Sequence, residues 1–372
     1  MMLLPTVALI PSSWLSTLTM LALVSVLVIA HELGHFWVAR KCGIKVERFG
    51  LGLPFGPVLY SKTIGGVEFL IHAALFGGYV AFPDDNPDSP VPKESKERFE
   101  NQGWWQRFAV AIAGITVNAI MGWAIMVWVV MQWGLPQVNA VQVVDFAAQN
   151  SPAQLAGFQP NDRIERVGTF EIAQEPGQMK VSRVITTIRQ SPGKPLAIQV
   201  ARGPEKTPQR LTLTVTPNAK GQIGVHLQPV SHGFKRYTNV WEATVVSHHF
   251  LWDYILKNFE GLGWMLTGKI SPAELSGPVR IIEEGGRMIE ESGFQNGLIL
   301  TAIISVILAV MNLLPIPALD GGHILFLLVE AVKGSPVKKS IQDGFTQAGF
   351  VVLMLFMGFV LINDVFHLFR LH

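Results

Sequence analysis

The chain has 372 residues, of which 49% are hydrophobic and only 15% charged. A soluble globular protein carries about a quarter charged residues, so this excess of apolar residues indicates an integral membrane protein with some soluble portion. The net charge of +2 is small and no basic cluster stands out, which argues against binding nucleic acid, while a single cysteine excludes an intrachain disulfide.

Four apolar stretches are long enough to cross a membrane. They are predicted as transmembrane helices at residues 14–40, 105–133, 296–323 and 347–368. Each offers about 20 residues, and at about 1.5 Å rise per residue this length spans the hydrocarbon core. A further stretch, Phe250–Ile270, is interrupted by charged residues and glycines. It is predicted as an amphipathic helix on the membrane surface, within a linker at residues 230–295.

The two longer connections carry signals for other structure. Residues 41–104 contain short strand-like stretches between glycine-rich turns, which predict a membrane-dipping β region and loop on the cytoplasmic side. Residues 137–229 contain strands and two helices in an order typical of one small α+β domain. The predicted fold class is therefore a mainly α membrane protein with four transmembrane helices, a membrane-associated β-hairpin or sheet, and one extracytoplasmic α+β domain.

Lysine and arginine are distributed unevenly around these spans, and this distribution predicts the orientation of the chain. No basic residue precedes the first span, and none occurs from Phe108 to Asp162. Basic residues are concentrated in and beside two connections, the one between the first and second spans and the one between the third and fourth: Arg40, Lys41, Lys45, Arg48, Lys93, Lys96, Arg98, Arg107, Lys333, Lys338 and Lys339. By the positive-inside rule these connections face the cytoplasm, and both termini and residues 137–229 are extracytoplasmic, with Arg370 as the exception.

The most informative motif is His31-Glu32-Leu33-Gly34-His35, at the inner end of the first span. On a helix, positions i and i+4 share a face, so both imidazoles can bind one metal ion with Glu32 beside it. Such a pair suits Zn²⁺, and Glu32 can take a proton from water activated by the metal. A chance match is disfavoured, because ionisable groups beside an apolar run cost roughly a few kcal/mol each in a membrane.

A catalytic zinc usually has three protein ligands, and the third span offers the missing one. Pro315 and Pro317 break this helix near its end, which places the carboxylate of Asp320 on a kinked segment. His323 is a rival ligand, and a helix cap is the alternative role of Asp320. The first and third spans run in the same direction, so the histidines and Asp320 reach the same depth, as one zinc requires.

Several further motifs accompany the zinc motif between the first span and the third. They are Gly77-Gly78-Tyr79-Val80, Gly114 with Asn118, Ser276-Gly277-Pro278-Val279, and Asn312-Leu313-Leu314-Pro315-Ile316-Pro317 ahead of Leu319-Asp320-Gly321. With them, the chain resembles the site-2 protease family of intramembrane zinc metalloproteases, although that family usually has proline in place of Ile115. Within residues 137–229, the run S-P-A-x-x-A-G-x-x-x-x-D-R-I resembles a PDZ domain.

The resemblance implies a ligand set and roles for individual residues. The two motif histidines and Asp320 are the implied ligands of one zinc ion, and Glu32 is the implied catalytic base. Asn118 and Asn312 are implied to hold or orient the substrate. The implied reaction is hydrolysis of peptide bonds in transmembrane segments of other proteins.

The predicted partners are transmembrane substrates, intact or already cut by another protease, and the lipid bilayer of a bacterial inner membrane. A transmembrane helix must unwind before hydrolysis, and Gly77, Gly78 and Tyr79 offer an edge strand with which it could pair. The alternative is a hairpin that only plugs the site. The PDZ-like domain either filters out substrates with bulky outer domains or is a structural cap. A zinc transporter and a catalytically silent membrane scaffold are the competing functions.

Overall fold

The computed structural model describes residues 12–52, 57–73, 77–172, 180–204, 207–267 and 277–370. The chain divides into two compact units. The first consists of Met1–Val129 together with Tyr254–His372, and the second of Val130–Asp253.

Helices dominate the first unit and strands the second. The helices are α1 (Ser12–Lys41), α2 (Trp104–Gln132), α3 (Pro152–Leu155), α4 (Lys180–Arg189), α5 (Val240–Leu266), α6 (Pro278–Ser292), α7 (Phe294–Leu313), α8 (Asp320–Lys333) and α9 (Lys339–Arg370). The strands are β1 (Arg48–Leu51), β2 (Val58–Ile64), β3 (Val67–His72), β4 (Gly78–Ala81), β5 (Leu135–Phe146), β6 (Arg163–Val167), β7 (Phe170–Glu171), β8 (Leu196–Arg202), β9 (Gln209–Val215) and β10 (Val225–Lys235).

Within the residues that the structure describes, four helices are long and apolar enough to cross a membrane. By length and composition they are Trp14–Lys41 in α1, Trp104–Gln132, which is α2, Phe294–Leu313, which is α7, and Lys339–Asp364 in α9. The prediction of a mainly helical chain with four apolar helices and small sheets is thereby confirmed.

The third predicted segment, residues 296–323, is divided in the structure. Helix α7 ends at Leu313, and a separate helix, α8, begins at Asp320. The reason is local, because a residue before proline avoids the helical region and a proline has no amide hydrogen to donate. Pro315 and Pro317 therefore end one helix, and Asp320 lies at the start of the next helix and not within a turn.

The first unit contains a four-stranded sheet with the order β2-β3-β1-β4. Strands β2 and β3 form an antiparallel hairpin, which turns at Gly65 and Gly66 with φ angles of 58° and 80° that suit glycine. Strand β1 is parallel to β3 and antiparallel to β4, so β4 is an edge strand. Phe36 of α1 packs with Phe49 and Val67 in the core beneath the sheet. The sequence pattern predicts β2 and β3 but not β1.

The second unit is built on an antiparallel sheet with the order β10-β5-β6-β8-β9, and β7 pairs with β6. Its core is apolar, and Val141, Ile164 and Val184 are fully buried in it. Asp162 is also fully buried, and the guanidinium group of Arg202 donates two hydrogen bonds of 2.8 Å to its carboxylate. The strands and two helices expected within residues 137–229 lie in this unit, and its first and last strands, β5 and β10, extend beyond the limits of that range.

Helix α6, which the sequence pattern does not predict, braces α1. At its first end, Asp364 of α9 accepts hydrogen bonds from the backbone amides of Gly277 (2.9 Å) and Arg280 (3.2 Å). Along its length, Gly285 and Gly286 approach α1 so closely that an added Cβ would lie 2.6 Å and 2.7 Å from its atoms. Helix α1, which carries the histidine motif, is therefore in direct contact with the backbone of α6 along this side.

Candidate metal centre

Three side chains with metal-binding atoms meet where α1 faces the start of α8. The Nε2 atoms of His31 and His35 are 3.3 Å apart, as their i, i+4 spacing on a helix permits. Oδ2 of Asp320 is 3.2 Å from His31 Nε2 and 3.4 Å from His35 Nε2. The three ligand atoms thus form a nearly equilateral triangle.

The size of this triangle fits one zinc ion. Zinc lies about 2.0–2.2 Å from nitrogen and oxygen ligands, so the edges of a tetrahedral site are about 3.3–3.6 Å long. In addition, Oδ2 of Asp320 is buried and accepts no hydrogen bond from the residues that the structure describes. A carboxylate oxygen without a donor, facing two imidazole nitrogens, is an arrangement that a metal ion satisfies.

Helix α2 supports both imidazoles from behind. The Nδ1 atom of His35 lies 2.7 Å from the carbonyl oxygen of Val110, a contact that leaves Nε2 free for a metal. The Nδ1 atom of His31 lies 3.3 Å from the side-chain amide of Asn118, which is only 1% exposed. Hydrogen-bond partners of this kind fix the ring orientation of metal-binding histidines.

Gly114 lets the imidazoles lie directly against α2. A Cβ atom at this position would lie 2.4 Å from Nε2 of His35 and 2.7 Å from Cε1 of His31. Gly34 of α1 also lies close to α2, because its Cβ would be 2.9 Å from the carbonyl oxygen of Ala113. The absence of a side chain at Gly114 therefore leaves space on α2 for the two imidazoles.

Ile115, which replaces the proline usual in the family, packs on another side of α2. It is 6% exposed and lies in a cluster with Ala309 of α7 and Ile324 of α8. Helix α2 is continuous from Trp104 to Gln132. The side chain of Ile115 therefore lies away from the face of α2 that meets the histidines.

The turn before α8 sets the position of Asp320. Ala318 has a left-handed conformation with φ of 67°, a strained geometry for alanine that turns the chain into α8. A Cβ at Gly321 would lie 2.0 Å from the carbonyl oxygen of Leu314, and one at Gly322 would lie 2.8 Å from that of Ile316. The Asp-Gly-Gly sequence therefore allows the preceding turn to pack onto the first residues of α8.

Two side chains of α2 form hydrogen bonds to the C-terminal half of α8. The indole of Trp104 donates a 2.7 Å hydrogen bond to the carbonyl oxygen of Leu327. The guanidinium group of Arg107 forms a bidentate ion pair with Glu330, with N–O distances of 3.0 Å and 2.5 Å. This ion pair was not predicted from the sequence. Its only signal was a pair of opposite charges near the ends of apolar helices.

A cavity of about 250 Å³ opens beside the ligand triangle. Among the predicted site residues, it is lined by His31, Glu32, Gly77, Gly78, Asn118, Asn312 and Asp320. Gly78 of β4 lies close to Glu32, since its Cβ would be 2.8 Å from Cγ of that side chain. The structure therefore brings the motif glutamate, the edge strand and the ligand triangle to one cavity.

Two residues considered in the sequence analysis lie elsewhere. The ring of Tyr79 covers Gly50, and its hydroxyl is 3.0 Å from Nε2 of His72, so its side chain is not part of the cavity wall. His323 is exposed on α8, and within the described part of the chain the group of possible metal ligands contains Asp320 and not His323.

Two histidines and an aspartate spaced for zinc, with a glutamate beside them in a protein that has four apolar helices, define a membrane zinc metalloprotease. The chain belongs to peptidase family M50, whose family model matches residues 19–356. This membership confirms the resemblance to the site-2 protease family, and it favours a zinc-dependent protease over a zinc transporter or a silent scaffold.

Similar proteins match over most of their length as well as most of this chain. A candidate zinc metalloprotease of Nostoc sp. is 36% identical over 355 residues, which cover 94% of this chain and 95% of the relative. A candidate chloroplast membrane metalloprotease of Arabidopsis thaliana is 31% identical, covering 95% of this chain and 80% of the relative. The regulator of sigma-E protease RseP of Escherichia coli is 28% identical, covering 91% and 96%.

Proposed function

We propose that this protease hydrolyses peptide bonds inside transmembrane segments of other membrane proteins. In the proposal, His31, His35 and Asp320 hold the catalytic zinc and Glu32 is the catalytic base. The observation that carries it is the position of the motif, because the histidines lie on α1 within the apolar segment Trp14–Lys41. A site at that place is reached by substrates that enter from the bilayer.

The chemistry divides between the metal and the side chains around it. When bound, zinc supplies a Lewis acid that polarises the scissile carbonyl and lowers the pKa of water to about 7. Glu32 lines the cavity beside the ligand triangle, so its carboxylate takes a proton from the attacking water and then gives it to the leaving amine. Asn312, which is partly exposed in the same cavity, offers its amide to a backbone group of the substrate.

Strand β4 is the proposed docking edge for an unwound substrate. It pairs with β1 on one side and is the last strand of its sheet, so its other edge can accept an added strand. The approach of Gly78 to Glu32 supports this role, because it brings a strand added along β4 close to the catalytic base. The alternative, a sheet that only plugs the cavity, requires β4 to move away before cleavage.

The proposed membrane placement follows the basic residues. Both termini and the second unit are extracytoplasmic, and the ligand triangle lies towards the cytoplasmic side of a bacterial inner membrane. Strand β2 is exposed along its whole length and includes Val58, Leu59, Tyr60 and Ile64. An apolar hairpin of this kind suits the predicted dip of residues 41–104 into the membrane.

For the second unit we propose a PDZ-like domain that filters substrates. Its antiparallel sheet and the helices α3 and α4, of which the short α3 follows Ser151, fit the sequence resemblance. Strand β10 is at the edge of the sheet, where PDZ domains add a peptide strand. A purely structural cap is the alternative.

The catalytic role of Glu32 is tested by a Glu32→Gln variant in liposomes with a membrane-spanning substrate. The variant is expected to keep its zinc, because no ligand changes, and to lose at least about 100-fold in cleavage rate, because the proton acceptor is removed. Zinc content and product formation are measured together. Glu291→Gln on the exposed face of α6 is the matched control and is expected to cleave normally. Equal cleavage by Glu32→Gln and wild type would refute the mechanism.

The filter is tested with two substrates that share one transmembrane segment and differ only in a folded extracytoplasmic domain. The shortened substrate is expected to be cut about tenfold faster, which corresponds to about 1.4 kcal/mol of discrimination. Cleavage rates in the same liposomes decide the question. Equal rates for both substrates would contradict the filter and indicate that the second unit is a structural cap.

A further inference from the structure

Asn118 has an unusual environment for a residue in an apolar helix. It is 1% exposed, and its side-chain nitrogen Nδ2 lies 3.3 Å from Nδ1 of His31. Its side-chain oxygen Oδ1 is buried and has no hydrogen-bond donor among the described residues. A buried amide oxygen without a partner is costly, so its orientation calls for an explanation.

The zinc-bound form of His31 supplies that explanation. In a neutral imidazole one nitrogen carries the proton and the other has the lone pair. If Nε2 binds the metal, Nδ1 carries the proton and becomes a donor. An Nδ1–H group cannot bond to the Nδ2 donor of Asn118, whereas it can bond to Oδ1. Turning the amide by 180° exchanges these two atoms with almost no change of shape.

We propose that Asn118 is a positioning residue of the zinc site, and that its Oδ1 accepts the hydrogen bond from Nδ1–H of His31. This contact selects the tautomer with an unprotonated Nε2, the atom that faces His35 and Asp320, and it fixes the ring plane. The inference rests on the proposed function in one respect, namely that His31 is a zinc ligand.

The neighbouring histidine is held in the same way. Nδ1 of His35 is 2.7 Å from the carbonyl oxygen of Val110, which is also on α2. Helix α2 therefore provides an acceptor for each imidazole, a backbone oxygen for one and a side-chain oxygen for the other. The helix is itself tied to α7 at this level, because Oγ of Ser305 donates a 2.8 Å hydrogen bond to the carbonyl oxygen of Asn118.

This role differs from the one that the family resemblance implies for Asn118, which is binding of the substrate. Although Asn118 lines the cavity, its amide faces His31, and a residue that is 1% exposed has little surface to offer a peptide. Asn312 lines the same cavity and is partly exposed. We therefore assign Asn118 to the positioning of the zinc ligand His31, and Asn312 to substrate binding.

The test compares Asn118→Leu and Asn118→Asp in the full-length protein in detergent, with zinc affinity measured by competition with a chromophoric chelator. Leucine has a similar shape but no acceptor, so zinc affinity is expected to fall about 10–100-fold. Aspartate keeps an acceptor oxygen at the same place, so its affinity is expected to stay within about threefold of wild type. The absorption spectrum of the Co²⁺-substituted protein should change for the leucine variant and not for the aspartate variant.

Ser305→Ala is the matched control, because it removes a hydrogen bond to Asn118 without touching His31, and its zinc affinity is expected to be that of wild type. Unchanged zinc affinity in Asn118→Leu, with a raised KM, would overturn the inference and assign Asn118 to substrate binding. An equal loss in both Asn118 variants would also overturn it, because packing alone would then explain the effect. Wild-type protein that binds no zinc would refute the proposed ligand set itself.

Discussion

Replacing Gly114 with alanine is expected to abolish zinc binding and proteolysis together. The added Cβ would lie 2.4 Å from Nε2 of His35 and 2.7 Å from Cε1 of His31, closer than carbon atoms can approach. The two imidazoles would have to move away from α2, and the triangle of ligand atoms that fits zinc would open. Because a zinc site tolerates only small displacements of its ligand atoms, a shift of this size removes the site.

The loss cannot be attributed to a weaker helix, because alanine is more favourable than glycine in a helix interior by about 1 kcal/mol. Circular dichroism is therefore expected to be unchanged, while zinc content and cleavage fall below detection. Gly358→Ala in the apolar helix α9 is the matched control, since no described atom apart from its chain neighbours and the helix's own backbone lies within 4 Å of the added Cβ, and it is expected to retain both. Zinc bound at normal affinity in Gly114→Ala would mean that α1 and α2 separate easily, and that Gly114 does not shape the site.

The histidine motif could be predicted from the sequence because it is local. The spacing of His31 and His35 on one helix determines that their side chains share a face, and the surrounding apolar residues identify the helix. The contribution of α2 is different in kind. Gly114 and Asn118 stood out only through the family resemblance. Nothing in the spacing of residues far apart in the chain predicts which face of α2 meets the histidines.

The elements that the sequence analysis missed share a physical cause. Helix α6 lies in the segment predicted as a linker. Its Gly285 and Gly286 are unfavourable in a helix interior, and the helix is stabilised by close packing on α1 and by Asp364 at its N-terminal end. Helix α8 follows a proline-rich turn, and its ion pair with Arg107 is formed by tertiary structure. In each case the decisive contact joins residues distant in sequence, which composition and periodicity do not report.

Replacing Asp320 with alanine is expected to remove zinc, because the carboxylate is the third corner of the ligand triangle. Loss of a hydrogen-bond partner of a ligand costs about 10–100-fold in metal affinity, and loss of the ligand itself is expected to cost more. Metal analysis after dialysis against a weak chelator measures the effect. His323→Ala is the control from the same helix and is expected to keep its zinc, since His323 is exposed and outside the triangle. Zinc lost from His323→Ala and kept by Asp320→Ala would reverse the assignment.

A second substitution separates the two roles that Asp320 has by position. As the first residue of α8, its negative charge also favours the helix N-terminus, so alanine alone changes both the metal site and the helix. Asp320→Glu keeps the negative charge at the helix N-terminus, but its longer side chain moves the carboxylate away from the third corner of the ligand triangle. Zinc loss in Asp320→Glu with unchanged thermal unfolding of the metal-free protein is therefore expected. Parallel losses of zinc and of metal-free stability in this variant would instead assign Asp320 mainly to the helix.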